Sequence, residues 1–176
     1  MGYAGGTTPN PTYRNLGDHT ETIQIDFDPD QISYEELLAL FWKGHDPTER
    51  SRSKQYMAVL FFHNDNQKRL DMLTRDRLAA QRGKEIYTQI FPASEFALAE
   101  TYHQKHALRG HGRLMEVFNT LYGNKKDFIN ATAAARVNGF AGGYGTVSSL
   151  ERELTRLALP PEARSKISEI LKSYGR

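Results

Sequence analysis

The chain has 176 residues, with 23 Lys plus Arg against 21 Asp plus Glu, enough for one domain with an appendage and a buried core. So even a balance excludes a partner held by bulk charge, such as nucleic acid or an anionic membrane surface. The absence of any cysteine excludes disulfides, thiolate metal sites and thiol nucleophiles within the chain.

Met1-Gly2-Tyr3-Ala4-Gly5-Gly6 has neither a basic n-region nor an apolar h-region, so it does not read as a secretory signal. No apolar run approaches the roughly 20 residues of a membrane helix. Both features predict an intracellular, cytoplasmic protein with no membrane association. Residues 2–18, rich in Gly, Pro, Asn and Thr, predict a long structured loop. Ile23, Ile25 and Phe27 alternate with polar residues and predict a half-buried strand over 22–27.

A helix follows, opened by a capping box of Ser33 and Glu36 with Ile32 and Leu37 at the staple positions. Leu37, Leu38, Phe41 and Trp42 give it an apolar face, and Gly44 ends it. The run Met57–Phe62 predicts a buried strand. Residues 66–82 predict a charged helix stopped by Gly83, with Leu70, Leu73 and Leu78 facing inward. Residues 85–91 alternate again and predict a third strand. From 109 the spacing turns helical, through Leu114, Val117, Phe118 and Leu121, then Leu150, Leu154 and Leu157 behind a Ser148/Glu151 box, then Ile167, Ile170, Leu171 and Tyr174. The stretch Gly139–Gly145 reads as the joint of this extension. His103, His106 and His111 lack the His-Glu-x-x-His spacing and an interleaved carboxylate, so no metal site is expected.

The most specific segment is Gly2-Tyr3-Ala4-Gly5-Gly6-Thr7-Thr8-Pro9-Asn10-Pro11-Thr12-Tyr13, followed by His19-Thr20-Glu21. Asp28-Pro29, Ile32–Leu38, Phe41-Trp42, His45-Asp46-Pro47, Gln55-Tyr56 and Ala99-Glu100-Thr101-Tyr102-His103-Gln104 follow in order. Over residues 1–108 this succession resembles the peptide methionine sulfoxide reductase A family, whereas 109–176 shows no family counterpart. The resemblance implies an α+β fold, a ferredoxin-like two-layer α/β sandwich incomplete at the N-terminus, with a helical C-terminal extension. In such a sandwich a first strand would lie centrally, between the strands at 22–27 and 57–63. The domain expectation is therefore 1–108 and 109–176.

The resemblance also implies a chemistry. A cysteine thiolate attacks the sulfur of methionine S-sulfoxide while a protonated carboxyl and neutral phenols handle the departing oxygen. The resulting sulfenic acid is reduced by another thiol. Glu21 matches the general acid, and Tyr13 and Tyr56 match the two phenols that hold the substrate. The family's nucleophile lies in an upstream Gly-Cys-Phe-Trp motif that this chain lacks. Residues 48–54 are short and basic where the family carries Asn-Asp, and the extension holds no resolving cysteine. The expectation is thus a member of an oxidoreductase family acting on methionine sulfoxide in proteins or peptides. It binds no cofactor, relies on an external thioredoxin-like thiol, and is inactive alone. The alternative is a non-catalytic peptide-binding module.

Overall fold

The computed structural model describes residues 1–174, and the chain divides into two compact units, one ending at Glu100 and one starting at Thr101.

The first unit holds two separate small sheets and two helices. β1 (Gly2–Ala4) is the centre of a three-stranded antiparallel sheet, flanked by β2 (Thr20–Thr22) and β5 (Ala97–Leu98). The loop expected over 2–18 therefore begins with a strand. Tyr3 pairs with both Glu21 and Ala97 and is fully buried, packed with Leu16 and Ala99. Glycine at 2 and 5 disguises the strand, because its character comes from partners distant in sequence.

β3 (Val59–Phe62) and β4 (Gln89–Pro92) form a parallel pair, connected through α2 (Asp65–Arg82). A parallel pair requires such a crossover. α2 closes on Gly83, whose φ of 61° is a left-handed conformation in which glycine carries no Cβ penalty. α1 (Tyr34–Lys43) opens on the expected box: Ser33 Oγ accepts from the Glu36 amide, and the Glu36 carboxylate accepts from the Ser33 amide at 2.8 Å. A cap of this kind contributes about 0.5–2 kcal/mol. Leu38 and Trp42 of α1 bury against Leu70 of α2. Two polar contacts fix the pairing: Trp42 Nε1 donates to Thr74 Oγ1 at 3.0 Å, and the Tyr34 hydroxyl donates to buried Asp71 at 2.8 Å. Burial pushes the Asp71 carboxyl up from its ordinary value, against the lowering effect of that bond.

The strand expected over 22–27 is corrected. β2 stops at Thr22, and Ile23 and Ile25 are 67 % and 55 % exposed. Alternation creates a face, but a strand also needs a neighbour for its amides. None of the described strands pairs with 23–27. A cleft of about 870 Å³ separates this segment from β3 and α1, with Ile23, Ile25, Leu40 and Val59 in its walls. This is where the resemblance implies a central strand.

The second unit is helical. After a 3₁₀ turn at Thr101–His103 come α3 (His106–Arg109), α4 (Gly112–Leu121), α5 (Lys125–Asn130), α6 (Thr132–Ala141), α7 (Val147–Arg156) and α8 (Pro161–Ser173). Leu114 and Phe118 of α4, Val137 of α6, Leu150 and Leu154 of α7, and Ile167 of α8 share one core. Phe118 sits edge-on to Phe128 of α5 at 6.0 Å. Two readings of this region change. Gly139 lies inside α6 and not in a joint. The box that opens α7 is Thr146/Ser149 in place of Ser148/Glu151, because the helix starts two residues earlier.

Candidate functional site

The site is assembled from three pieces of the first unit. The first is β2. Glu21 pairs across to Tyr3 in the ladder, while its amide turns the other way and donates to Gln55 O at 2.9 Å. Thr20 Oγ1 adds a bond to Lys54 O at 2.9 Å. Residues 54–56 are thereby laid along the outer edge of β2, which sets Tyr56 beside Glu21.

The second piece is the loop 5–19. Asp18 is its staple: its carboxylate accepts from the amides of Thr7 at 2.8 Å and Thr8 at 3.0 Å and from both hydroxyls. Those amide bonds, Thr7 first and then Thr8, hold the Asp18 carboxyl far below the ordinary range. Gly17 has a φ of 61°, and a Cβ there would run into the Thr8 side chain, so the turn admits only glycine. His19, buried beneath the loop, donates Nε2 to Thr8 O at 2.9 Å.

The third piece is Glu100. One carboxylate oxygen accepts from the Tyr3 hydroxyl at 2.6 Å, and the other accepts from the Tyr13 amide at 3.0 Å. Tyr13 sits in the tight turn closed by the Thr12 and Asn15 backbone pair. The buried strand β1 thus anchors the turn that carries Tyr13.

These pieces bring all three expected site residues together. The hydroxyls of Tyr13 and Tyr56 lie 3.4 Å apart. Gln55 Nε2 donates to Glu21 Oε1 at 2.7 Å and to the Tyr56 hydroxyl at 3.0 Å. Glu21 and Tyr56 both line the apolar cleft. Tyr13 is 41 % exposed and Tyr56 59 %, so both phenols face an accessible opening. The bond with Tyr13, followed by partial desolvation, pushes the Tyr56 phenol up to about 12. Tyr56 therefore stays a neutral donor throughout the physiological range. Gln55 and Glu100 both appear among the sequence landmarks, yet neither was assigned a role there. Their contacts are lateral and long-range, which no local pattern announces. Among the described residues no group of three His, Asp or Glu side chains could hold a metal ion.

A carboxylic acid and two phenols held together by these contacts, with Glu21 and Tyr56 lining an apolar cleft, make a site suited to proton donation and oxygen binding beside an apolar group. Residues 1–134 match the family Peptide methionine sulfoxide reductase, and the chain belongs to that oxidoreductase family. Residues 123–172 match a second family, Selenoprotein methionine sulfoxide reductase A, helical domain. The helical extension therefore has a counterpart, which corrects the reading of 109–176 as unmatched.

The chain is similar to a peptide methionine sulfoxide reductase of Drosophila melanogaster, 36% identical over 93% of this chain and 66% of the relative. It is also similar to the MsrA protein of Methanosarcina acetivorans, 40% identical over 60% of this chain and 62% of that protein. The crystal structure of Mxr1 from Saccharomyces cerevisiae in reduced form superposes with a TM-score of 0.52 at 31% identity, covering 58% of this chain and 65% of that one. The chain spans less than two thirds of the length of these relatives.

Proposed function

We propose that this chain carries the acid and oxygen-binding half of a methionine sulfoxide reductase site. Glu21 would be the general acid, and Tyr13 and Tyr56 would hold the sulfoxide oxygen. The observation that carries the reading is the convergence of these three side chains, from a loop, a strand and a turn, through Gln55 and the paired hydroxyls, with Glu21 and Tyr56 lining one apolar cleft. In the reaction, the oxygen passes from the sulfoxide sulfur to a thiol sulfur, giving methionine and a sulfenic acid. A neutral phenol opposite the oxygen stabilises the charge that develops on it, and a carboxyl supplies a proton to it.

The sulfur nucleophile has no candidate among these 176 residues, which contain no cysteine. The chain alone then binds methionine sulfoxide in peptides without reducing it, and the same lack supports a second reading as a non-catalytic peptide-binding module. A thiol reductant of the thioredoxin type completes the cycle for a thiol-bearing form. That requirement supports a cytoplasmic setting, where thiols stay reduced. We assign the chemistry to residues 1–108 and a supporting role to 109–176.

The test is a peptide with a central methionine S-sulfoxide, titrated into the protein and followed by NMR at Tyr13, Tyr56 and Gln55. The reading predicts saturable shifts at these residues for the S epimer, weaker ones for the R epimer, and no methionine formed with dithiothreitol by mass spectrometry. Shifts confined to other residues, or equal for the thioether peptide, would overturn it.

A further inference from the structure

We infer that Gln55 is the positioning residue of this site, setting which way the hydrogen bonds of Glu21 and Tyr56 point; the inference rests on the oxygen-binding reading above. Three contacts converge on Gln55. Its backbone carbonyl accepts from the Glu21 amide at 2.9 Å, and the two hydrogens of Nε2 go to Glu21 Oε1 at 2.7 Å and to the Tyr56 hydroxyl at 3.0 Å.

The polarity of this arrangement follows from donor and acceptor chemistry. Glu21 Oε1 accepts from the Gln55 amide, so that amide presents its nitrogen, not its oxygen, to the carboxyl group. Both Nε2 hydrogens are then spent, one on the acid and one on the phenol. Because Tyr56 accepts from Gln55, its own single proton is directed elsewhere. Tyr13, 3.4 Å away, shares that space, as would an incoming oxygen. A flipped amide would place Oε1 against both groups. It would repel the carboxylate and capture the phenol's proton, removing the donor the site needs. Gln55 touches neither a substrate nor a reacting atom in this arrangement; it acts through its two neighbours.

Two near-isosteric substitutions separate polarity from packing. Gln55→Met keeps the chain length and the backbone contact but removes the donor. Gln55→Glu keeps the shape and reverses the polarity, accepting from Tyr56 and repelling Glu21. One hydrogen bond is worth about three- to tenfold in affinity. The S-sulfoxide peptide should bind roughly threefold more weakly to Gln55→Met and about tenfold more weakly to Gln55→Glu. A packing role predicts instead that affinity follows melting temperature across the pair, whatever the polarity.

The second readout is the side-chain amide of Gln55 in a ¹⁵N spectrum. Its proton shifts should move in Glu21→Gln and in Tyr56→Phe, because those two groups accept the Nε2 hydrogens. The graded order of affinities with these displaced amide shifts upholds the inference. Equal affinity in all three proteins, or an amide shift blind to Glu21, overturns it while leaving the oxygen-binding reading standing. Failure of the parent to bind the peptide overturns that reading, and this inference with it.

Discussion

Replacing Tyr3 by Phe removes one oxygen atom from the centre of the three-stranded sheet. Tyr3 is fully buried, and its hydroxyl donates to a Glu100 carboxylate oxygen at 2.6 Å. The ring keeps its packing against Leu16 and Ala99, so the loss is that of the bond itself. A hydrogen bond to a charged group is worth about 1.5–3 kcal/mol. In a unit of this size each kcal/mol moves the melting point by about 4–8 °C, which puts the drop between about 6 and 24 °C. Trp42, the single tryptophan, is buried in α1 of the same unit and reports its unfolding by fluorescence. Urea titration should show a lower midpoint with an unchanged slope, since little surface is altered. Tyr144→Phe, at a residue 79 % exposed, is the control and should shift stability by less than about 0.5 kcal/mol. Because Glu100 also accepts from the Tyr13 amide, Tyr3→Phe should move the Tyr13 amide resonance as well. A Tyr3→Phe midpoint indistinguishable from that of the Tyr144 control would refute the claim that β1 anchors the Tyr13 turn through Glu100.

Two further outcomes follow. The Asp18 carboxyl is depressed below its ordinary value of 3.8, so its stabilisation is fully present above that value and is lost as pH falls through the depressed one. Asp18→Asn should therefore melt lower than the parent at pH 7, with the gap closing on acidification; a gap independent of pH would contradict the staple. Ile23 and Ile25 are largely exposed in the wall of the apolar cleft, a pattern that promotes association. Changing both to Lys should shift sedimentation velocity profiles from associated species towards monomer at little cost in melting temperature; unchanged profiles would remove this patch as the cause.

What the sequence made legible was what is local. The Ser33/Glu36 box and the Gly83 stop depend on residues within one turn of helix, and both stand as read. β1 was not legible, because Gly2-Tyr3-Ala4 is a strand only by virtue of partners at 20–22 and 97–98. The segment 22–27 failed in the opposite direction, having the right alternation and no neighbour to pair with. At α7 the Ser148/Glu151 spacing matched a capping box, but the helix opens at Thr146, whose hydroxyl accepts from the Ser149 amide. Glu21, Tyr13 and Tyr56 were singled out by resemblance alone, and the fold does gather them. Gln55 and Glu100 were visible as landmarks but not as partners. Their meaning depends on how 54–56 lies along β2 and how Tyr3 reaches across the sheet.

The role of Glu21 is tested most directly in a form extended at its N-terminus with a Gly-Cys-Phe-Trp strand and helix, which supplies the thiol. With methionine S-sulfoxide peptide and dithiothreitol, kcat is compared between this form and its Glu21→Gln variant, which keeps the shape and a donor but loses the acidic proton. General acid catalysis is worth about 10² to 10⁴ in rate, so a kcat loss in that range is the expected result, with KM little changed. Turnover of Glu21→Gln within about twofold of the extended parent would contradict the acid role, being far smaller than such catalysis provides.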